Sequence, residues 1–222
     1  MRLYELIDYE PKKSNITAHT NMSRILNKTR GQEVGGGAFG SVYDTQSNKR
    51  LNQVTKVGNA GSVMSDKPAA NIKQDGWLSY MQAVHRAQQH GEQNPYFPIM
   101  HDLHIRRAAN GKLSYSANLQ KLIPINSPKL TSNIELMQAV YERMFGVECP
   151  FNTWLDILHK ILDNIKMGEN LSDPDLISAM KLINSVIDAS GDAYFIKDMH
   201  EGNIMWRLTG TMPHLVIIDP IA

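Results

Sequence analysis

Three polar residues near the C-terminal end of the chain have the types and spacing that phosphoryl transfer requires. Asp198 is followed five positions later by Asn203, within Ile196-Lys197-Asp198-Met199-His200-Glu201-Gly202-Asn203-Ile204-Met205. Asp219 ends the apolar run Leu215-Val216-Ile217-Ile218. Transfer of a phosphoryl group needs a carboxylate that takes or orients the proton of the attacking hydroxyl, and hard oxygen donors that hold magnesium against the phosphates. Asp198 suits the first task. The side-chain carbonyl of Asn203 and the carboxylate of Asp219 suit the second.

Upstream lie groups that could hold the nucleotide. Gly35-Gly36-Gly37-Ala38-Phe39-Gly40-Ser41-Val42 fits G-x-G-x-x-G-x-V between two expected strands. Its glycines let the backbone close over phosphate oxygens, and Phe39 can cap the tip. A dinucleotide-binding reading is poorer, because a strand rather than a helix follows. Lys56 lies sixteen positions after Gly40 on an otherwise apolar strand, where an ammonium can neutralise α- and β-phosphates. A carboxylate usually orients such a lysine. Asp75, early in the next helix, is the first candidate, and Glu92 falls beyond the expected helix end.

Each of these has a plainer structural reading. The glycine run can be an ordinary hairpin turn, Lys56 a solvated edge lysine, and Asp75 a first-turn acid facing the helix dipole. His200 can touch phosphate or make a structural hydrogen bond. His101 and His104, three apart on an expected strand, should face opposite sides and so make a poor metal pair. Lys12-Lys13 and Arg106-Arg107 read as solvated charges.

The elements that must position these groups follow from periodicity and punctuation. Residues 1–30 precede the first strong signal and form an N-terminal extension. Strands are expected at Glu33-Val34, Ser41–Thr45 and Gln53–Val57, the last bounded by Gly58. A helix is expected from Ala69 or Asn71 to Gln89, with Trp77, Tyr80, Met81 and Val84 at helical spacing. Ile99–Arg106 and Leu113–Ile123 suggest a hairpin around Ala109-Asn110-Gly111, and Pro124–Pro128 breaks regular structure. Three helices should follow. Ser132-Asn133-Ile134-Glu135 reads as a capping box, with Gly146 closing the helix. Trp154, Leu155, Leu158, Ile161, Leu162 and Ile165 form an apolar stripe on the second. Asp173-Pro174 opens a third that ends near Gly191. A final hairpin pairs Asn203–Arg207 with Leu215–Asp219.

Strands first and helices later describe a two-lobed α+β fold with a cleft. The expected division is an extension over 1–30, a nucleotide-binding lobe of sheet plus one helix over 31–124, and a helical catalytic lobe over 125–222. The chain stops three residues after Asp219, so the second lobe is expected to be compact, without a standard activation segment or late helices.

Composition excludes several alternatives. The 222 residues suffice for one sizeable core or two small lobes. With a net charge of +1, bulk electrostatic binding to nucleic acid or an anionic membrane is not expected. The single cysteine, Cys149, rules out an internal disulfide and reads as a small buried hydrophobe. The acidic N-terminus does not read as a signal peptide, and no run approaches the roughly 18 apolar residues of a membrane span. A soluble, cytoplasmic protein is expected.

The chain resembles the early serine/threonine protein kinase of T-seven-type bacteriophages, a divergent branch of the protein-kinase-like superfamily. Gly35–Tyr43, Val54-Thr55-Lys56-Val57-Gly58, Asp198–Met205 and Ile218-Asp219-Pro220 carry the resemblance, which runs from about Gly31 to Ala222. The general catalytic loop H-R-D-x-x-x-x-N is matched from its Asp onward, with Ile196-Lys197 in place of His-Arg and Pro220-Ile221 in place of the Phe-Gly that usually follows the metal-binding Asp. The resemblance implies ATP- and magnesium-dependent phosphorylation of bacterial host proteins on Ser or Thr in the host cytoplasm. Lys56 would grip phosphates, Asp198 would be the catalytic Asp, and Asn203 and Asp219 would bind metal. Two other readings stay open. One is a small-molecule phosphotransferase of the aminoglycoside- or choline-kinase type, and the other is a pseudokinase-like module that sequesters a host protein.

Overall fold

The computed structural model describes residues 32–37, 40–44, 52–60, 76–107, 113–189, 196–209 and 212–221. The architecture is α+β with antiparallel sheets. The N-terminal extension 1–30, the loop-tip residues Ala38 and Phe39, and Asp75 lie outside the described residues. The chain forms two compact units, one containing the residues up to Leu78 with Ile99–Lys121, the other containing Ser79–Pro98 with Leu122 onward. The unit boundary thus falls at Lys121–Leu122, slightly ahead of the expected 124/125 division, and most of the first helix counts with the second unit.

The first unit is built on a five-stranded sheet in the order β1-β2-β3-β5-β4. Its strands are β1 (Gln32–Gly37), β2 (Gly40–Asp44), β3 (Gln53–Ala60), β4 (Met100–Arg107) and β5 (Leu113–Gln120). The glycine run is strand rather than loop, since Gly35, Gly36 and Gly37 pair with Val42, Ser41 and Gly40. β3 likewise continues through Gly58, which pairs with Gly40 on one side and Tyr115 on the other.

Period-2 alternation assigns the faces. Lys56 sits between Val42 and Ala117, and Ala117 pairs with Leu103, so these four side chains share one face. Trp77, at the start of helix α1 (Gly76–Gln89), covers that face and stacks on Tyr115 with centroids 5.0 Å apart. The opposite face is polar. Thr55 Oγ1 donates to Asn118 Oδ1 at 2.7 Å, and Asn118 Nδ2 donates to Asp102 Oδ2 at 2.8 Å. At the sheet margin the Lys121 ammonium meets the buried Asp44 carboxylate at 2.5 Å.

A bulge corrects the reading of the two histidines. Pairing shifts between Met100 and Asp102, so buried Met100 and Ile105 flank outward-facing His101 and His104. The extra residue reverses the alternation, which places both histidines on the exposed side.

The second unit contains the rest of α1, a three-stranded sheet and helices α2 (Pro128–Thr131), α3 (Ile134–Phe145), α4 (Trp154–Met167) and α5 (Pro174–Ala189). Its sheet runs β6 (Ile123–Pro124), β7 (Ile204–Thr209), β8 (Met212–Ile217). Ile123 therefore belongs here and not to the β4–β5 hairpin, because it pairs with Trp206. The Trp206 indole N–H donates to the Ile125 carbonyl at 3.1 Å, which satisfies the polar atom of a fully buried ring.

Capping explains where the helices begin and end. Asn133, rather than Ser132, caps α3 by accepting from the Leu136 N–H at 3.0 Å. Ser132 instead closes the short α2, which the sequence reading did not expect. Thr153 caps α4 through the Asp156 N–H. Asp173 Oδ1 caps α5 by accepting from the Asp175 N–H at 2.9 Å. On α4 the buried stripe is Ile157, Leu158, Ile161, Leu162 and Ile165, while Leu155 faces outward at 51% exposure. Each fully buried side chain of that stripe stabilises the fold by about 1.5–3 kcal/mol relative to an exposed position. Cys149 is a buried free thiol just past α3. Among the described residues no helix is long and apolar enough to cross a membrane.

Candidate active site

In the second unit, Ile196–His200 leads into a single 3-10 turn, Glu201–Asn203, and then into β7. Buried Met199 anchors the loop from below, as buried Pro220 and Ile221 anchor the segment after β8. The two stretches run side by side, held by backbone ties. Lys197 forms an antiparallel bridge with Ile221, the Asp198 N–H donates to the Pro220 carbonyl at 2.8 Å, and the Ile218 N–H donates to the Asn203 carbonyl at 2.9 Å. These ties bracket Asp219, so the backbone brings it beside the Asp198–Asn203 loop.

Asp198 and Asn203 meet directly. The Asn203 amide nitrogen donates to the Asp198 carbonyl oxygen at 2.7 Å and to its carboxylate Oδ2 at 3.2 Å. A backbone carbonyl only accepts, so the NH2 end of the amide must face Asp198 and Oδ1 is left for a cation. A 92%-buried amide held this way does not rotate freely, since Asn203 is 8% exposed. Among the described residues the side-chain contacts to Asp198 fall on Oδ2. Its Oδ1 is the carboxylate oxygen left open to a ligand.

Tyr80 supports the Asp219 strand from α1. Its hydroxyl donates to the Ile217 carbonyl at 2.9 Å, and the Ile217 N–H donates to the Tyr96 carbonyl at 2.9 Å. Complete burial pushes the Tyr80 phenol well above its ordinary pKa, and the nearby Asp219 charge pushes the same way. The phenol thus stays protonated and keeps its donor role. Sequence reasoning placed Tyr80 only by its helical spacing and gave it no role at the site. The available signal was a Tyr in place of a Phe on a buried stripe, where its hydroxyl must find a partner.

Lys56, the glycines and Val42 lie in the first unit. Lys56 is half-buried at the middle of β3, its ammonium 3.9 Å from the centroid of the Trp77 ring. An ammonium over an indole face is attracted by the ring quadrupole, by about 0.5–2 kcal/mol according to desolvation. The sequence placed Trp77 only by its helical spacing, and a cation–π contact leaves no spacing signature. The pairing of Lys56 with Asp75 falls outside the described residues, as do Ala38 and Phe39. Glu92 lies exposed beyond the end of α1. Gly35, Gly36, Gly37 and Gly40 form the paired ends of β1 and β2, and Val42 lies beside Lys56.

An Asn carbonyl and a carboxylate are hard oxygen donors that suit magnesium, which keeps several waters and takes few protein ligands. Among the described residues no group of three or more His, Cys, Asp or Glu is placed to hold a metal. An Asn203–Asp219 pair contains one carboxylate and so lies outside that pattern. No protein-family model matches the chain, and no curated protein sequence matches it.

Proposed function

We propose that the protein is a magnesium-dependent phosphotransferase of the protein-kinase-like type. In this reading it passes the γ-phosphoryl group of ATP to Ser or Thr hydroxyls of bacterial host proteins, as the phage kinases it resembles would. The observation that carries this reading is the Asp198–Asn203 lock, flanked by the backbone ties that hold Asp219 beside it. Asp198 orients the acceptor hydroxyl and takes its proton. Asn203 and Asp219 would hold magnesium, which neutralises charge on the phosphates when bound. Lys56 and the glycine-bearing β1–β2 hairpin provide the phosphate grip in the first unit. A two-lobed kinase fold is part of the same proposal.

The test is transfer of label from γ-labelled ATP, with magnesium, onto bacterial lysate proteins and, in parallel, onto small alcohols and aminoglycosides. Label on Ser and Thr of proteins is the expected result. Asp198→Asn should lower transfer by about 10²–10⁴-fold, the usual contribution of a positioned general base. Label confined to small molecules would establish the aminoglycoside-kinase-like alternative. Equal biological activity of wild type and Asp198→Asn would establish a binding module instead.

A further inference from the structure

His200 lies between Asp198 and Asn203 in sequence, its ring hydrogen-bonded at Nδ1 and near Asp198 at Nε2. Its extended backbone caps the 3-10 turn, its carbonyl accepts from the Asn203 N–H at 2.9 Å, and its Nδ1 accepts from the Gly202 N–H at 3.0 Å. Because Nδ1 accepts, the single proton of the neutral imidazole sits on Nε2. That Nε2 is 3.5 Å from Asp198 Oδ2, the oxygen that also faces the Asn203 amide. Such contacts are long in unliganded catalytic sites and tighten when substrate binds.

Gly202 leaves room for the ring over the turn, and its N–H holds it there. A Cβ at this position would lie 2.8 Å from His200 Cε1 and 3.1 Å from Nδ1, so any larger residue would displace the imidazole. Among the residues of this loop, only a glycine leaves space for the ring at the distance the cap requires.

We infer that His200 is a positioning residue for Asp198. Its Nε2–H and the Asn203 amide together hold Oδ2 and direct Oδ1 toward the acceptor hydroxyl. The ring does not relay protons, because Nε2 already carries one and Nδ1 is occupied by the Gly202 N–H. This inference rests on the phosphotransferase reading for its kinetic consequence, but the placement of the ring is independent of it.

Two substitutions separate the two ends of the ring. His200→Asn keeps an oxygen where Nδ1 caps the turn, asparagine being a strong capping residue, but lacks the reach to Asp198. His200→Gln places an amide donor near the Nε2 position and loses the cap. In the full-length protein, His200→Asn should melt like wild type yet lose about tenfold in kcat with KM for ATP unchanged. His200→Gln should melt lower yet recover part of that kcat. The inference is overturned if kcat follows stability across the pair, so that the Asn variant is active and the Gln variant is not.

A second measurement works without any turnover. Long-range proton–nitrogen correlation spectra of the histidine rings should show His200 as the Nε2–H form, with its Nε2 resonance shifted by Asp198→Asn. An Nδ1–H form, or a resonance that ignores Asp198→Asn, also overturns the inference. If wild type transfers no label to any acceptor, the phosphotransferase reading fails and the spectra alone decide the placement of His200.

Discussion

At the scale of single residues, the two ends of the Asn203 amide do different work. The nitrogen is fixed on Asp198 by a carbonyl that can only accept, and this fixes the oxygen in turn. Asn203→Asp preserves the shape and still offers an oxygen to a cation, but loses the donor to Asp198. It would set a second carboxylate about where the amide nitrogen now lies 3.2 Å from Asp198 Oδ2. Two carboxylates that close share a proton, and the pKa of the pair rises. Asp198 also loses the amide that holds its Oδ2, and transfer should fall by about 10²–10⁴-fold. The same rise makes the folded variant hold a proton that its unfolded chain releases. Its stability relative to wild type should therefore drop as pH rises through the shared pKa. Melting both proteins at acidic and at alkaline pH checks this, and a gap that narrows toward alkaline pH would refute it. The Asp198, Asn203 and Asp219 set was legible because short-range chemistry writes itself into spacing. Tyr80 and Trp77 were not, because a hydroxyl bonded 137 residues away and a ring under an ammonium leave no local pattern.

At the scale of elements, caps and breakers carried most of the legible signal, and errors arose where two readings competed for one residue. Ser132-Asn133-Ile134-Glu135 contains two good capping residues, and the unanticipated α2 claims Ser132, leaving Asn133 to α3. The stripe on α4 was read with Leu155 and without Ile157, although Leu155 is exposed and Ile157 is buried. The β4 bulge defeated the strand argument because alternation predicts faces only in an unbroken strand. The end of α3 was read correctly, and two constraints act there. Gly146 has φ of +70°, and a Cβ on it would lie 2.6 Å from Ser172 Oγ. That approach arises because the chain after α4 returns to the α3 terminus, where the Ser172 N–H donates to the Met144 carbonyl at 2.9 Å. Gly146→Ala should cost about 1–2 kcal/mol from the left-handed backbone alone, with a further loss from the clash. Urea unfolding of Gly146→Ala and of Gly146→Ala combined with Ser172→Gly separates these terms. The double variant should recover only the clash, and full recovery would show that the backbone is unstrained.

At the scale of the whole chain, the second unit is closed by polar contacts between segments far apart in sequence, which no window of residues reveals. Arg207 on β7 donates to the carbonyls of Pro95 at 3.0 Å and Phe97 at 2.6 Å, across 112 and 110 residues. The Tyr96 hydroxyl donates to Asp173 Oδ2 at 2.7 Å, so one carboxylate both caps α5 and holds this loop. Burial lowers the Arg207 pKa, and it raises the Tyr96 pKa together with the Asp173 hydrogen bond. His214 on β8 faces this cluster. Burial lowers its pKa first, then Arg143 on α3 and Arg207, while Asp173 and Asp175 pull the other way without prevailing. The folded protein therefore prefers neutral His214. Above the ordinary histidine value of about 6.5, folded and unfolded chains are both neutral there and nothing is lost. As pH falls below that value the unfolded chain takes up the proton first, so stability declines until the lower folded pKa is passed. His214→Asn should remove this part of the decline while leaving the other histidines to contribute equally to both proteins. Urea midpoints of wild type and variant, followed from about pH 7.5 to about pH 5, should then shift in the variant's favour on the acid side. A constant difference between the two curves would mean that the cluster does not hold His214 neutral.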